Sequence, residues 1–558
     1  MEVIGFFLNP HNDREFEVIN TQHGTTKTTL PFFDGEIDYR TTLIRVIEIT
    51  SHGNTEFNPQ RFNSDEANWL LQAGFLNQEE THFHSISVIL PKLGQQLYQS
   101  LFPKGEKSEE ILKAALQRAS GDELHIQFSF EPDSVGTNRA ADYPWELLHD
   151  GTRFLAWHKV SFSRYIAYND FAPNLPLVNK VNVLLVCSEA FDTAQDMKQL
   201  GQGDRQAITA GLELASQEGY IHLTDLAAEI GGIPTFNALQ KYLTEHRGEQ
   251  QPHILHFDGH GLYGKKCLKC GNIHPGITPQ KCQNKLCGEN LPPAQGYLVF
   301  ADEKGQPDYV SAAKLGATLQ NLTPSYQNTN HGSLAVVVLS ACQSGMAVAG
   351  ESLFNGTAQK LIHHSIPAVV AMQYSVSVKA AKNFAEQFYR ALGQKLSLSA
   401  AVRQARIAMD IEGNQWYRPV LYLRWHDNEG GQLFEQPDSS QTVHLPTRVE
   451  KTNISADLKI KPGKMNLQAL IRNKILQELV TLFNNKEIAD MLLDTIEFPG
   501  HLRPIFPQQG TPLGYWQEIC KQIQYGALPS GNNLQLLVDA AAEFFPANPI
   551  FQKHRSQY

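Results

Sequence analysis

Residues 334–345 read LAVVVLSACQSG, an apolar run that ends in a turn of small residues and places one cysteine, Cys342, at its carboxyl end. Residues 253–261 read HILHFDGHG, a second apolar run, which ends at His260. Continuous apolar runs of this length are typical of strands buried on both faces, as in a parallel sheet covered by helices. Because parallel strands end at the same edge of a sheet, we expect Cys342 and His260 to lie close together there.

The segments around these two runs repeat the alternation of strand and helix. Apolar runs predict further strands at residues 181–187, 220–223, 366–372 and 419–425. Helical periodicity fills the intervals between them. This alternation predicts an α/β fold, in which a parallel sheet is covered by helices on both faces.

Two further elements are predicted before the first of these strands. Leu93, Leu97 and Leu101 have helical spacing and predict a helix. Residues 124–130 alternate apolar and polar side chains, which predicts a strand with one buried face.

The composition divides the chain into domains. Residues 1–75 contain short alternating stretches, such as residues 42–47, and predict a β-rich N-terminal segment. Residues 76–426 hold the α/β pattern. Residues 427–463 are polar, contain glycine and proline, and lack a sustained period, so they predict a linker. Residues 464–558 carry four or five apolar stripes at helical spacing, which predict a small all-α bundle.

Charge and length exclude several classes of protein. A chain of 558 residues should hold several domains, because single cores stop growing at about 250–300 residues. The net charge of -10 and the pI near 6.1 give no general reason to expect nucleic-acid binding. No apolar run approaches the ~20 residues that a membrane span needs, and the N-terminus lacks the features of a secretory signal. We therefore expect a cytoplasmic protein with reduced cysteines and no membrane contact.

Cys342 and His260 have the residue types of a nucleophile and its base. The thiolate is the reactive form of cysteine, so a catalytic cysteine needs a neighbour that takes its proton. Small flanking residues let a carbonyl group approach the backbone, where the amides of Gly261 and Cys342 would hold an oxyanion. The alternative is that Cys342 is a buried thiol at a strand end and that His260 is an ordinary turn residue.

A second group of cysteines lies in a polar segment, residues 265–290, with too few apolar side chains to fold by burial. Its cysteines form one C-x2-C pair and one C-x4-C pair: Cys267, Cys270, Cys282 and Cys287. Four thiolates satisfy a tetrahedral Zn²⁺ ion and leave no open position, so the sequence predicts a structural zinc ribbon. The alternatives are four reduced free cysteines, and a site in which His274 replaces one cysteine. We expect His274 to be an exposed turn residue instead.

Several motifs occur in an order and at a spacing that resemble the CHAT peptidases, a branch of the caspase and separase clan. The motifs are DYPWELLHDGTRFLAWHKVSFSR, HFDGHG, GYLVFADEKGQPDYVSAAKL, VVLSACQSG, IPAVVAMQYSVS with FAEQFYRAL, and AVRQARIAM. The resemblance covers about residues 80–425. It implies a caspase-like fold, a cysteine endopeptidase activity through a thioester acyl-enzyme, and His260 and Cys342 as the catalytic dyad.

The chain departs from this family where relatives carry acidic residues that hold a basic side chain of the substrate. The segment after the fifth strand ends at Ser377, and Ser340 stands two residues before the cysteine. Asp258 and Glu351 are the remaining acidic candidates, although a solvated or capping carboxylate is the favoured interpretation of each. These four residues are the candidates for the substrate pocket, and the specificity stays open.

The helical bundle ends in LLVDAAAEFFPANPIF and resembles the effector-associated domains of bacterial conflict systems, which pair with like domains on partner proteins. The resemblance implies recruitment or activation through this domain. It also implies one or a few protein substrates, such as a latent death effector, in antiviral defence or programmed cell death. The alternative for the bundle is a stabilising appendage.

Two other functions remain open at this point. The chain is alternatively a catalytically silent scaffold that binds partners through the zinc ribbon and the bundle. A weaker idea is that the ribbon binds nucleic acid through its lysines, Lys265, Lys266, Lys269, Lys281 and Lys285. Because no run of basic residues with aromatics supports this contact, we expect no nucleic-acid partner.

Overall fold

The computed structural model describes residues 2–555 except 10–11, 21–22, 31–32, 35–36, 52, 78, 80, 120–122, 131–139, 167–176, 196, 198–202, 247–249, 277–278, 321, 324–333, 342–352, 375, 411–413, 425–429, 436–469, 471–474, 484–485, 497, 500–502, 505, 507–511, 525–527, 529–533 and 546–547. The chain forms two compact units, Met1–Gln441 and Thr442–Tyr558. Within the described residues, no helix combines the length and the apolar character needed to cross a membrane.

The strands of the described residues all belong to the first unit. They are β1 (Glu2–Asn9), β2 (Asn12–Asn20), β3 (Gly24–Thr29), β4 (Phe33–Asp34), β5 (Ile37–Asp38), β6 (Leu124–Phe130), β7 (Val160–Ile166), β8 (Val181–Cys187), β9 (Ile221–Asp225), β10 (Ile254–Lys266), β11 (Ile273–Pro275), β12 (Gln295–Ala301), β13 (Pro307–Ser311), β14 (Val336–Ala341), β15 (Ala368–Met372) and β16 (Pro419–Leu423).

The first unit also contains most of the helices. They are α1 (Arg40–Ser51), α2 (Ser64–Gln72), α3 (Ile86–Leu101), α4 (Lys107–Arg118), α5 (Gly203–Gln217), α6 (Leu226–Ile230), α7 (Phe236–Glu245), α8 (Ala312–Gln320), α9 (Leu353–His363), α10 (Val378–Gly393) and α11 (Leu398–Asp410). Side chains cap several of them: Thr235 Oγ1 accepts from the Ala238 amide at the start of α7, and Ser377 Oγ accepts from the Ala380 amide at the start of α10.

One long sheet runs through the unit in the order β9-β8-β10-β14-β15-β16-β7-β6-β1-β2-β3. The strands from β9 to β15 are parallel to one another. β16 is antiparallel to β15 and parallel to β7, β6 and β1. The central strands are buried on both faces, and the predicted α/β class with a mostly parallel, helix-covered sheet is confirmed.

Strand β10 is longer than the sequence indicates. Its first part pairs in parallel with β8 on one side and with β14 on the other, and the last pair with β14 is Gly259–Ala341. Its second part leaves the parallel sheet and pairs antiparallel with β12, beginning at the His260–Val299 pair. The prediction that the strand ends at His260 is therefore wrong, because β12 supplies hydrogen-bonding partners for the residues that follow.

Two other predictions of local structure are wrong. Residues 42–47 lie in helix α1, not in a strand, and the buried residues Thr42, Leu43, Val46 and Ile47 have helical spacing. Strand β6 is buried on both faces, because the face that carries His125 is also covered. The two ring nitrogens of His125 contact the hydroxyls of Ser161 and Ser163, each at 2.8 Å, so a polar residue on the second face remains hydrogen-bonded.

A buried ionic cluster joins the segment after β6 to the sheet. Glu146 is fully buried and accepts hydrogen bonds from Arg164 at 2.6 Å and from Arg406 at 3.1 Å. Arg164 also donates to the backbone carbonyls of Ala141 and Tyr143, and Arg406 donates to that of Pro419. Burial lowers the pKa of Arg406 to about 10, although the adjacent carboxylate favours its charged form.

The second unit contains helices and has its own hydrophobic core. Its helices are α12 (Ile475–Leu482), α13 (Lys486–Thr495), α14 (Leu513–Gln524), α15 (Leu534–Phe544) and α16 (Pro549–His554). Trp516 is fully buried beside the ring of Phe483 and donates its indole N–H to the Phe483 carbonyl at 3.1 Å. The helices predicted from the apolar stripes are thus present and pack around one core.

Candidate active site and cysteine cluster

His260 lies where β10 changes partners. The residue before it, Gly259, is the last to pair with β14, and His260 is the first to pair with β12, opposite Val299. The side chain of His260 is 1% exposed. The candidate base is thus held at the edge of the parallel sheet by a strand that continues beyond it.

Cys342, the candidate nucleophile, lies outside the described residues. In the sequence it directly follows Ala341, the last residue of β14. Ala341 is the register partner of Gly259, and Gly259 is directly followed by His260. The two candidate residues therefore directly follow Gly259 and Ala341, which are paired across two neighbouring parallel strands.

The segment after β8 borders His260. The Ser188 amide donates to the Asp258 carbonyl at 2.7 Å, and the Ser188 hydroxyl donates to the Val299 carbonyl at 2.7 Å. Further along, Tyr309 of β13 donates its hydroxyl to Asp192 at 2.7 Å. Burial, and the hydrogen bond to this carboxylate, raise the pKa of Tyr309 above its usual range. These contacts attach the segment to the β12–β13 hairpin.

The other predicted site residues have different surroundings. Asp258 is half-buried in β10, opposite Ser340 of β14, which is buried. Gly261 lies in β10 opposite Leu298. Ser377 is exposed and caps helix α10, as described above. Glu351 lies outside the described residues, so the substrate-pocket candidates and the oxyanion amides stay predictions.

The four clustered cysteines come together in the segment after β10. Their sulfur atoms all lie within 4.8 Å of one another. Cys267 Sγ is 3.6 Å from Cys287 Sγ, and Cys270 Sγ is 3.5 Å from Cys282 Sγ. Sulfur atoms that surround a tetrahedral Zn²⁺ ion at ~2.3 Å lie about 3.8 Å apart, so the cluster has the donor set and the spacing of a metal site.

The thiols of this cluster have opposite pKa shifts. A backbone hydrogen bond from Cys270 lowers the pKa of Cys267 to about 7, whereas burial raises the pKa of Cys282 to about 12. A divalent cation between the sulfur atoms would favour the thiolate form of all four. The residues therefore fit a bound metal ion.

His274 differs from expectation, and two leucines of the same segment are strongly exposed. His274 is buried, and its Nε2 lies 3.3 Å from Cys282 Sγ, so the prediction of an exposed turn histidine is wrong. His274 pairs with Lys265 of β10, and the backbone of β11 approaches β10 closely at Gly264. Leu268 is 87% exposed and directly follows Cys267, and Leu286 is 97% exposed and directly precedes Cys287.

Ser188 has a place in this site that the sequence analysis missed. It is the first residue after the apolar run of β8, and its polar side chain there was the available signal. Because its partners are backbone carbonyls on two other strands, no local pattern in the sequence identifies them.

Two family models match separate parts of the chain. The CHAT domain family model matches residues 91–423, and the model of effector-associated domain 1 matches residues 465–558. The comparison with curated proteins returns no match. Separase of Saccharomyces cerevisiae, in its complex with securin, aligns at 12% identity with a TM-score of 0.34 over 75% of this chain and 30% of the separase chain.

A second similar structure is that of the Arg-specific cysteine proteinase gingipain R. It aligns at 10% identity with a TM-score of 0.32, over 62% of this chain and 75% of the gingipain chain. This chain thus spans less than a third of the length of the separase chain that it matches.

Proposed function

The chain belongs to the CHAT domain family, and we propose that it is a caspase-like cysteine peptidase with Cys342 and His260 as its catalytic dyad. The observation that carries the proposal is the register of β10 and β14. Gly259 pairs with Ala341, and each is followed directly by one of the two candidate residues. Neighbouring strands lie about 4.8 Å apart, so residues that directly follow a matched pair start close together, as a nucleophile and its base require.

The proposed reaction is the hydrolysis of a peptide bond in two steps. His260 takes the proton from Cys342, and the thiolate attacks the carbonyl carbon of the substrate. The backbone amides of Gly261 and Cys342 donate to the developing oxyanion. The protonated imidazole gives its proton to the departing amine, which leaves a thioester on Cys342. Water then attacks the thioester with His260 as the base, and the carboxylate product leaves.

We propose that the cysteine cluster holds a structural Zn²⁺ ion. Cys267, Cys270, Cys282 and Cys287 would be its four ligands, and four protein ligands leave no position for substrate or water. The ion would supply folding energy to a segment with few apolar residues. Thiolate ligands require a reducing compartment, which agrees with the proposed cytoplasmic location.

The biological role that we propose is the cleavage of one or a few target proteins in bacterial antiviral defence or programmed cell death. The match of residues 465–558 to effector-associated domain 1 supports recruitment or regulation through the C-terminal unit by a partner protein. A substrate that fits this role is a latent death effector, which cleavage would release.

We also propose a docking role for the surface around Leu268 and Leu286, which we call the tip of the ribbon. The tip would bind a segment of the protein substrate that has both acidic and apolar side chains. Leu268 and Leu286 are the most exposed large apolar residues of the described chain, and Lys269 and Lys285 are their neighbours. Lys269, Lys281 and Lys285 are exposed, and Lys269 lies 3.7 Å from Glu289. The tip therefore presents lysine side chains beside its exposed leucines, in a chain whose net charge is -10.

The test of the docking proposal separates protein cleavage from peptide cleavage. Replacing Leu268 and Leu286 with serine should reduce cleavage of the native protein substrate by about tenfold and leave cleavage of a short peptide from the same site unchanged. Leu214→Ser, a change at an exposed leucine of α5, is the matched control. Equal cleavage of the protein substrate by the double variant and by this control would overturn the proposal.

The alternative function is a catalytically silent scaffold that binds partners through the ribbon and the C-terminal unit. A library of peptides derived from a bacterial proteome distinguishes the two functions. The wild-type chain should generate new peptide termini that Cys342→Ala and His260→Ala do not generate, and these termini would give the P1 preference. Cys187→Ala removes a different thiol at the end of the neighbouring strand β8 and should keep the activity. No new termini from the wild type would favour the scaffold.

A further inference from the structure

His260 stands at a junction between two kinds of pairing. The first part of β10 is held on both sides by parallel strands, and the part that begins with His260 pairs antiparallel with β12. The direction of the imidazole therefore depends on how firmly β12 is fixed against the parallel sheet at this junction.

Ser188 connects the two sides of this junction. Its amide donates to the carbonyl of Asp258, two residues before His260, and its hydroxyl donates to the carbonyl of Val299, the residue opposite His260. Both distances are 2.7 Å. The side chain is 3% exposed, so water does not replace the hydroxyl easily if it is removed.

Gly259 allows the close approach of Ser188. A Cβ atom built on Gly259 would lie 3.2 Å from Ser188 Cβ and 2.8 Å from the ring of Phe257. A larger residue at position 259 would therefore push either the serine or the phenylalanine ring away. The absence of a side chain next to His260 thus has a structural use in addition to access for a substrate.

We infer that Ser188 is a positioning residue for His260. It does not act on the substrate; its hydroxyl fixes β12 against β10, so that the imidazole is held in the direction that the nucleophile requires. Catalytic groups tolerate displacements of only about 0.5 Å, so the loss of one buried hydrogen bond next to the base should weaken the proposed dyad. This inference rests on the proposed function of His260 and Cys342.

The rate at which iodoacetamide alkylates Cys342, followed by peptide mapping between pH 5 and pH 9.5, tests the inference without a substrate. An ordinary thiol has a pKa near 8.5, and a neighbouring imidazolium keeps part of it as thiolate at lower pH. The wild type should therefore react at pH 6 and His260→Ala should react there far more slowly. Ser188→Ala should lose about tenfold at pH 6 and little at pH 9.5, while Ser188→Thr, which keeps the hydroxyl, should restore the wild-type profile.

The outcomes separate the two proposals. The inference on Ser188 is overturned if Ser188→Ala folds and is alkylated with the wild-type pH profile. The dyad stands in that case if the profile of His260→Ala differs from that of the wild type. If His260→Ala itself has the wild-type profile, the dyad fails. If circular dichroism shows that Ser188→Ala does not fold, Ser188→Cys takes its place, because the thiol fills the space of the hydroxyl but is a weak hydrogen-bond donor. A wild-type profile for that variant would overturn the inference.

Discussion

Glu146 is the residue on which the buried ionic cluster of the first unit depends. Among the described residues, its carboxylate is the one that pairs with the guanidinium groups of both Arg164 and Arg406, and all three side chains are buried. Their other hydrogen bonds go to backbone carbonyls and, from Arg164, to the Gln373 side chain, and Arg406 Nη1 is buried without a partner in the described part of the chain. The cluster therefore tolerates the loss of its negative charge poorly, because two cations would stay buried without it.

Glu146→Gln should lower the free energy of unfolding of the first unit by about 3–5 kcal/mol. Urea unfolding followed by tryptophan fluorescence measures this change, since five of the six tryptophans precede residue 442. Glu386→Gln, which breaks an ion pair with Arg390 on the surface of α10, should cost no more than about 0.5 kcal/mol. A similar cost for the two changes would contradict the role assigned to the cluster.

Two buried histidines make the stability of the first unit depend on pH. Burial lowers the pKa of His125 to about 4 and the pKa of His256 to about 3. His256 contacts the hydroxyl of Tyr389 at 2.8 Å and is fully buried. Both histidines are therefore neutral in the folded chain at pH values at which the unfolded chain, with a histidine pKa near 6.5, binds protons.

The two histidines should not destabilise the folded chain above about pH 6.5. As the pH decreases toward 4, proton binding to the unfolded chain should lower the free energy of unfolding. At pH 5 the expected loss is about 2 kcal/mol for each histidine, because the unfolded state is favoured by proton binding. Urea unfolding at pH 7 and pH 5 measures the loss, and His125→Gln should reduce it. The exposed residue His222 provides the control, since His222→Gln should leave the pH dependence unchanged. Equal stability at both pH values would contradict the neutral, buried state of the two residues.

At the scale of elements, the strands that lie within continuous apolar runs could be predicted from the sequence. β8, β14 and β15 are such strands, and the helices between them follow from helical spacing. The second part of β10 could not be predicted, because the residues after His260 are a strand only through their pairing with β12, about 40 residues further along the chain. The same reason explains why Ser188 was missed.

The ribbon is the element whose structure should depend on a metal ion. Cys267→Ala should reduce the zinc content of the purified chain from about one ion per chain to near zero, because three thiolates and an exposed position hold the ion weakly. Inductively coupled plasma mass spectrometry measures the content, and limited proteolysis should then cut within residues 265–290. Cys187→Ala is the control, and it should keep the ion. A chain that retains zinc without Cys267 would contradict the proposed ligand set.

At the scale of the whole molecule, the N-terminal segment is the part that the sequence described least well. β1 pairs in parallel with β6, more than 100 residues away, so the segment extends the main sheet. A pattern of alternating residues predicts a strand but not such a distant partner. The division between an α/β region and a helical C-terminal region follows more directly from composition, because the two regions differ in hydrophobic period along long segments.

Each unit has its own hydrophobic core, so each should fold alone. A chain that ends at residue 441 should keep the urea midpoint of the first unit within about 0.3 M of that in the full chain and should keep the pH profile of Cys342 alkylation. Residues 442–558 expressed alone should remain helical by circular dichroism. Loss of the alkylation profile on truncation would instead show that the C-terminal unit is needed to form the dyad.

The central claim is that Cys342 cleaves proteins, and the comparison of new protein N-termini tests it most directly. Lysates that contain bacterial proteins with a similar effector-associated domain receive the wild-type chain, Cys342→Ala, or His260→Ala. We predict that a small set of new termini arises with the wild type alone, and that they share a residue before the cut. The claim would be contradicted if Cys342→Ala gave the same termini. It would also be contradicted if the wild type gave no new termini although it bound those proteins as well as the variant does.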